Sequence, residues 1–328
     1  MHGLLSRLTV AVLFAVAATA SLASEDRLNQ AYAFWEANAF QCQVDGISFP
    51  SRPTGNSAQP CDDGDMTMFN GLLCYAGDER GCQGVRDAQD PVTGEWFRSP
   101  RIRLKGNDRG GASFSPDMAM GVQLYLIKTR DVERAEKWAH WLDGMKVRLC
   151  RLGVCVEPQS FCKPEPGCVI RPGDAASLAK TFDYLHKSAG MAPLRDGSDL
   201  RGYLSTAKDW GNILIWFSSL INKPGYSQHL VAVDVVIERM TSGKAEALKG
   251  EAERLAGKSV NEGNAFFSYL AGKDRAVVVQ QVLARCPSVS SLPQPPLHQW
   301  QWERETTDKA WMHSCYWDCI FMAKLLGI

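Results

Sequence analysis

The sequence has no surplus charge of either sign: 36 lysines and arginines face 36 aspartates and glutamates, and no block of like charge gathers at either end. That balance removes the electrostatic footprint of a nucleic-acid-binding protein and offers no charged tail to a partner. Low-complexity sequence is confined to Pro287–Pro296, PSVSSLPQPP, which lies too near the C-terminus to divide two domains. A G-x-S-x-G elbow, a Walker loop, a dinucleotide fingerprint and an H-E-x-x-H helix are all missing, so the commonest hydrolase, nucleotide and zinc-protease signatures are excluded. Period-2 alternation bounded by turn residues is also lacking, and no extended sheet is expected. What remains is ordinary globular composition, 45% hydrophobic and 22% charged, long enough to bury a real core.

One apolar run stands out, LTVAVLFAVAATA at Leu8–Ala20, behind Arg7 and ahead of Ser21 and Ala23. A charged start, an apolar stretch too short to span a bilayer and a small-residue cleavage site describe an export leader over 1–23. Residues 24–328 are then expected to form one secreted or periplasmic domain, a monomer with no transmembrane segment.

Export gives the 11 cysteines a purpose, because an oxidising compartment turns such a set into disulfides. The expected bridges are Cys42–Cys61, Cys74–Cys82, two within Cys150, Cys155, Cys162 and Cys168, and Cys286–Cys315. Cys319 is left buried and reduced. Neither the cysteines nor the histidines show metal-ligand spacing, so no metal and no cofactor is expected. Asp62-Asp63-Gly64-Asp65 has the flavour of a calcium loop but lacks the rest of an EF-hand.

Helical periodicity fills the remainder in two alternating styles. Segments apolar on nearly every side begin at Asp65, Ser115, Asp174, Asp209, Asn264 and Trp311. Amphipathic ones lie at Ser24–Phe40, Glu79–Ala88, Asp131–Met145, Leu200–Ala207, Ser227–Met240 and after Asp274, with Lys244–Lys258 as a charged insertion. Ser115-Pro116-Asp117 is a strong helix start, with an N-cap, a proline at the first position and an acid in the first turn. Dry helices alternating with half-wet ones predict an all-α, disulfide-stapled (α/α)6 double ring, inner helices shielded by outer ones. An irregular all-α fold is the alternative.

On Asp63-Gly64-Asp65-Met66 and Ser115-Pro116-Asp117-Met118, each an acid leading an inner helix, the chain resembles the six-hairpin (α/α)6 glycosidases, in particular the unsaturated glucuronyl and rhamnogalacturonyl hydrolases. The resemblance implies a funnel above the inner-helix ends, with two aspartates a few tens of residues apart facing a carbohydrate. Asp65 and Asp117 match those positions as the catalytic acid/base pair. Read from the residues alone, either is equally a helix-start acid that complements the macrodipole.

Asp63, Asp318 and Glu303 are reserve acids. Asp318 falls inside the apolar CYWDCIFMA, where a charge needs a partner or a task. Trp96, Arg98 and Arg101 in one loop, and His298, Trp300 and Trp302 in another, combine rings with polar groups in the way a polyhydroxylated ligand requires. Sealing one end of the barrel is the competing duty for those rings. A glycoside hydrolase is the leading expectation. A polysaccharide lyase using His298, His313 or Tyr316, and a sugar-binding or envelope-interaction protein without turnover, stand beside it.

Overall fold

The computed structural model describes residues 24–328 except 58–59, 63, 108–111, 152–153, 164–165, 296, 298–299 and 305–308. The expected leader, Asp63 and His298 therefore lie outside the described residues.

The chain is mostly helical. Its first helix, α1, covers 24–38. Then follow α2 (Met66–Tyr75), α3 (Glu79–Arg86), α4 (Pro100–Lys105), α5 (Pro116–Thr129), α6 (Val132–Asp143), α7 (Pro172–Ala189) and α8 (Asp199–Ala207). The C-terminal half adds α9 (Gly211–Ile221), α10 (Tyr226–Ser242), α11 (Lys249–Gly257), α12 (Ala265–Leu270), α13 (Arg275–Arg285) and α14 (Trp317–Leu325).

Short polar side chains open many of them by accepting from an otherwise unpaired backbone N–H: Asp78 before α3, Ser99 before α4, Asp131 before α6, Ser198 before α8 and Asn264 before α12. None of the described helices is long and apolar enough to cross a membrane.

Among the described residues, strand is limited to three two-stranded antiparallel ribbons: β1 (Gln41–Val44) with β2 (Ile47–Pro50), β3 (Arg52–Pro53) with β4 (Cys61–Asp62), and β5 (Leu149–Arg151) with β6 (Val154–Val156). The first turns on Asp45 and Gly46, both at positive φ, the Asp-Gly pair that a two-residue hairpin favours.

Five disulfides staple the helices and ribbons. Cys42–Cys61 and Cys74–Cys82 form as expected, and the cluster of four closes on itself as Cys150–Cys155 and Cys162–Cys168. The fifth corrects the expectation: Cys286 bonds Cys319, and Cys315 is the free, buried thiol. The expected helix over Trp311–Leu326 begins only at Trp317, because Tyr316 adopts φ +63° and delays it. Cys315 therefore precedes the helix, while Cys319 on α14 faces the end of α13.

α2 and α5 form the closest pair. A Cβ on Gly71 would lie 2.3 Å from the carbonyl oxygen of Gly121, so these two backbones touch and only glycine fits either position. From there α5 packs on α7, α7 on α10, α10 on α12, and α14 on α2. Phe266 of α12 meets Phe321 of α14 edge-on at 5.3 Å. One contiguous apolar core runs through all six.

Two helices exchange the parts that periodicity assigns them. The strongly apolar α9, read as an inner helix, lies at the surface with most of its large side chains exposed. The amphipathic α10, read as an outer one, buries Val231, Ala232, Val233, Val235, Val236 and Ile237. Periodicity reports how apolar a face is, and not which neighbour covers it.

Candidate functional site

Arg98 gathers the site. Its Nη1 donates to Asp65 Oδ1 and to the Gly64 carbonyl, each at 2.9 Å, and its Nε donates to the Ala112 carbonyl at 2.9 Å. Its backbone N–H reaches the Ser113 carbonyl at 2.9 Å, and Thr67, in the first turn of α2, donates through its hydroxyl to the Phe97 carbonyl at 2.6 Å. One guanidinium and one stretch of loop thus hold the entrance of α2 beside the entrance of α5. The two expected acids stand there: Asp65 occupies the N-cap of α2, and Asp117 lies in the first turn of α5. Both are half-buried.

Asp117 accepts hydrogen bonds from two hydroxyls, those of Ser115 and Tyr226. Ser115 therefore turns its side chain to the acid rather than to a backbone N–H, which is an unusual use of an N-cap position. Tyr226 follows Gly225 at φ +86° and opens α10. Burial, and then the neighbouring carboxylates of Asp117 and Asp65, push its phenol far above the ordinary tyrosine range, so it stays a proton donor.

Glu303 lies behind this face in the 3₁₀ turn Gln301–Glu303. It is 2% exposed and neither carboxyl oxygen has a hydrogen-bond partner among the described residues. Burial raises its pKa well above the usual carboxylate value, Asp65 and Asp318 push the same way, and Arg52 and Arg304 oppose them. Burial of this kind favours the protonated form over the carboxylate. Asp318, fully buried on α14, accepts from the Ser314 hydroxyl at 2.6 Å and from the Gln301 N–H at 3.3 Å. Burial lifts its pKa to about 6. It also anchors the turn, since Trp302 Nε1 donates to the Asp318 carbonyl at 2.8 Å.

The structure thus brings Asp65, Arg98, Asp117, Glu303 and Asp318 into one polar neighbourhood. The rings expected beside them are engaged elsewhere. Trp300 stacks on Phe69 at 5.1 Å and tilts against Phe321 at 4.9 Å, and Trp302 is fully buried in the same turn. Trp96 sits in a separate cluster with Tyr125 and Trp138. All three are 0% exposed, so they present no face to a ligand as the chain stands, and sealing the core is what they do. Arg101 is buried on α4. Of the residues expected for proton abstraction, Tyr316 packs edge-on against Phe34 and His313 closes a 3₁₀ turn.

Three participants carry no sequence signal of their own. Tyr226 stands one residue ahead of a segment read as an outer helix, and only the Gly225-Tyr226 pair marks a forced start. Arg52, buried on β3, pairs with Asp62 at 3.4 Å and faces Glu303. His229, one turn into α10, is fully buried and held neutral, its pKa pushed down to about 3 by burial.

Among the described residues no group of three or more His, Cys, Asp or Glu side chains is disposed to hold a metal ion. Asp62 and Asp65 of the calcium-like loop turn to Arg52 and Arg98 instead. Compared with known proteins, the chain matches no family model, no curated protein and no solved structure.

Proposed function

We propose that this chain is an exported glycoside hydrolase acting on a poly- or oligosaccharide, built as a double ring with α2, α5, α7, α10, α12 and α14 inside. The packing of α5 on α7, α7 on α10, α10 on α12 and α14 on α2, with the Phe266–Phe321 contact between α12 and α14, supports a ring into which α10 leans far enough to touch α5 as well. The five disulfides suit an oxidising compartment. The observation that carries the function is a single phenol, Tyr226, bonded to Asp117 and within the field of Asp65 and Glu303, so that three carboxyl groups surround one donor at a half-open helix entrance.

Cleaving a glycosidic bond needs one protonated acid and one carboxylate. Asp117, positioned by Ser115 and Tyr226, is the carboxylate that takes a proton from water. Glu303, whose pKa is raised by burial and then by the neighbouring Asp65 carboxylate, is the acid that holds the proton the leaving oxygen requires. Arg98 fixes Asp65 and presents positive charge beside it.

Reducing-end release from a panel of bacterial and plant polysaccharides tests the proposal with the purified chain, Asp117→Asn, Asp65→Asn and Glu303→Gln. Turnover by the wild type and its loss, by ~100-fold or more, in folded Asp117→Asn is the expected result. Silence across the panel, or full activity in Asp117→Asn, makes these acids structural and moves a non-catalytic binding protein ahead.

A further inference from the structure

The helix α9 is inside out. Gly211, Ile215 and Ser219, spaced four apart, turn inward, Gly211 against Ala176 and Lys180 of α7, and Ser219 against Arg254 of α11. Its large residues turn outward: Trp210, just before the helix, is 57% exposed, Ile213 55%, Phe217 50% and Leu220 43%, with Trp216 and Ile221 beside them. From Gly211 to Ile221 there is no charged residue. A helix laid on a protein for its own stability buries its large side and shows its small polar one; this one does the reverse.

The outward residues have a pattern. Trp210, Ile213, Phe217 and Leu220 repeat at intervals of three, four and three, which is the spacing of the knobs in a helix-to-helix seam. Six large apolar side chains about half exposed present on the order of 600 Å², at the upper limit for a patch on a monomeric protein. A standard interface needs ~800 Å² from each partner, so this face supplies most of one side. Two tryptophans and a phenylalanine with no charge among them is also the composition of an interface core.

We propose that α9 is the interface of a homodimer, in which the seam of one chain packs antiparallel on the same seam of a second copy about a two-fold axis. Self-complementarity follows from the chemistry: an uncharged aromatic and aliphatic stripe meets its own copy without unpaired charge, and a two-fold contact closes on itself. A dimer then takes the place of the monomer expected from sequence. This holds whether or not the chain hydrolyses sugar.

Sedimentation velocity of the purified chain over a micromolar concentration range tests it, alongside Phe217→Asp, Leu220→Lys and, as an exposed control far in sequence, Val289→Asp. Wild type and Val289→Asp are expected to sediment at twice the chain mass. Phe217→Asp and Leu220→Lys, with unchanged far-ultraviolet circular dichroism, are expected to dissociate ~30-fold more readily or more, as for the loss of an interface anchor. Two seam variants keep the test sharp if one fails to fold. A wild type that stays monomeric at every concentration overturns the proposal, including one that instead co-sediments with phosphatidylcholine–phosphatidylglycerol vesicles. So does a dimer indifferent to both seam substitutions, or an open-ended assembly.

Discussion

The phenol of Tyr226, at the start of α10, donates to the carboxylate of Asp117, at the start of α5, across 109 residues of sequence. This one bond ties two helix entrances together, and it joins an acid that the sequence marks to a tyrosine that it does not. Arg98 makes the matching link between Asp65 and the approach to α5. The neighbourhood is therefore cross-braced by polar bonds between helix starts, and its behaviour should respond to small, shape-conserving changes.

Tyr226→Phe removes only the hydroxyl. Asp117 then keeps the Ser115 hydroxyl, and a hydrogen bond to a charged group in a largely enclosed setting is worth about 1.5–3 kcal/mol. Urea denaturation is expected to show a loss of that order with an unchanged m-value. If the hydrolase proposal holds, turnover falls at least ~10-fold with it, because the base loses its orientation. A variant as stable as the wild type would show that the bond contributes nothing net.

Asp318 should make the protein less stable as pH rises from mildly acid to neutral. Its pKa in the fold is about 6, raised from 3.8 by burial, so between those values the native state keeps a proton that the unfolded chain releases. The stabilisation is complete below pH 3.8 and is lost as pH rises through about 6, amounting to on the order of 3 kcal/mol. Glu303 pushes in the same direction. Asp318→Asn carries no titrating group there, so its stability relative to the wild type should improve from mildly acid to mildly alkaline pH. Chemical denaturation at several pH values measures the difference, and parallel pH profiles for the two proteins would exclude this role for Asp318.

Gly71→Ala should be among the most damaging single-methyl changes in the molecule. The added carbon would stand 2.3 Å from the Gly121 carbonyl oxygen, against backbone rather than a side chain that could swing aside. Forcing α2 from α5 is expected to cost about 3 kcal/mol or more, the upper range for overpacked cores, and to separate Asp65 from Asp117. Gly202→Ala is the contrast. It lies within α8, where an added Cβ would meet nothing within 4 Å, and a gain of about 0.5–1 kcal/mol is expected from helix propensity. Thermal melts of the two variants separate steric clash from a general intolerance of glycine substitution.

Helix content, four of the five disulfides, and the placing of Asp65 and Asp117 at helix entrances are legible in the chain. Each depends on neighbours in sequence: periodicity within a segment, a polar residue and a proline at a helix start, cysteines a few residues apart. The fifth disulfide is not legible, because the choice between Cys315 and Cys319 turns on where α14 begins. The run of apolar residues around Tyr316 reads as one helix, and hydrophobicity does not record the positive φ that holds Tyr316 outside it.

What the sequence determined by itself is local: a mostly helical chain with polar helix starts, a set of cysteines suited to short-range bridges, and two acids leading apolar helices. What only the tertiary structure decided is which surfaces meet. It turned α10 inward and α9 outward, drew Tyr226, Arg52 and Glu303 to the aspartates, and closed Trp96, Trp300 and Trp302 into the core. The physical reason is that burial is a property of contacts between distant segments. A side chain's polarity limits where it can go, but the geometry of its neighbours selects the place.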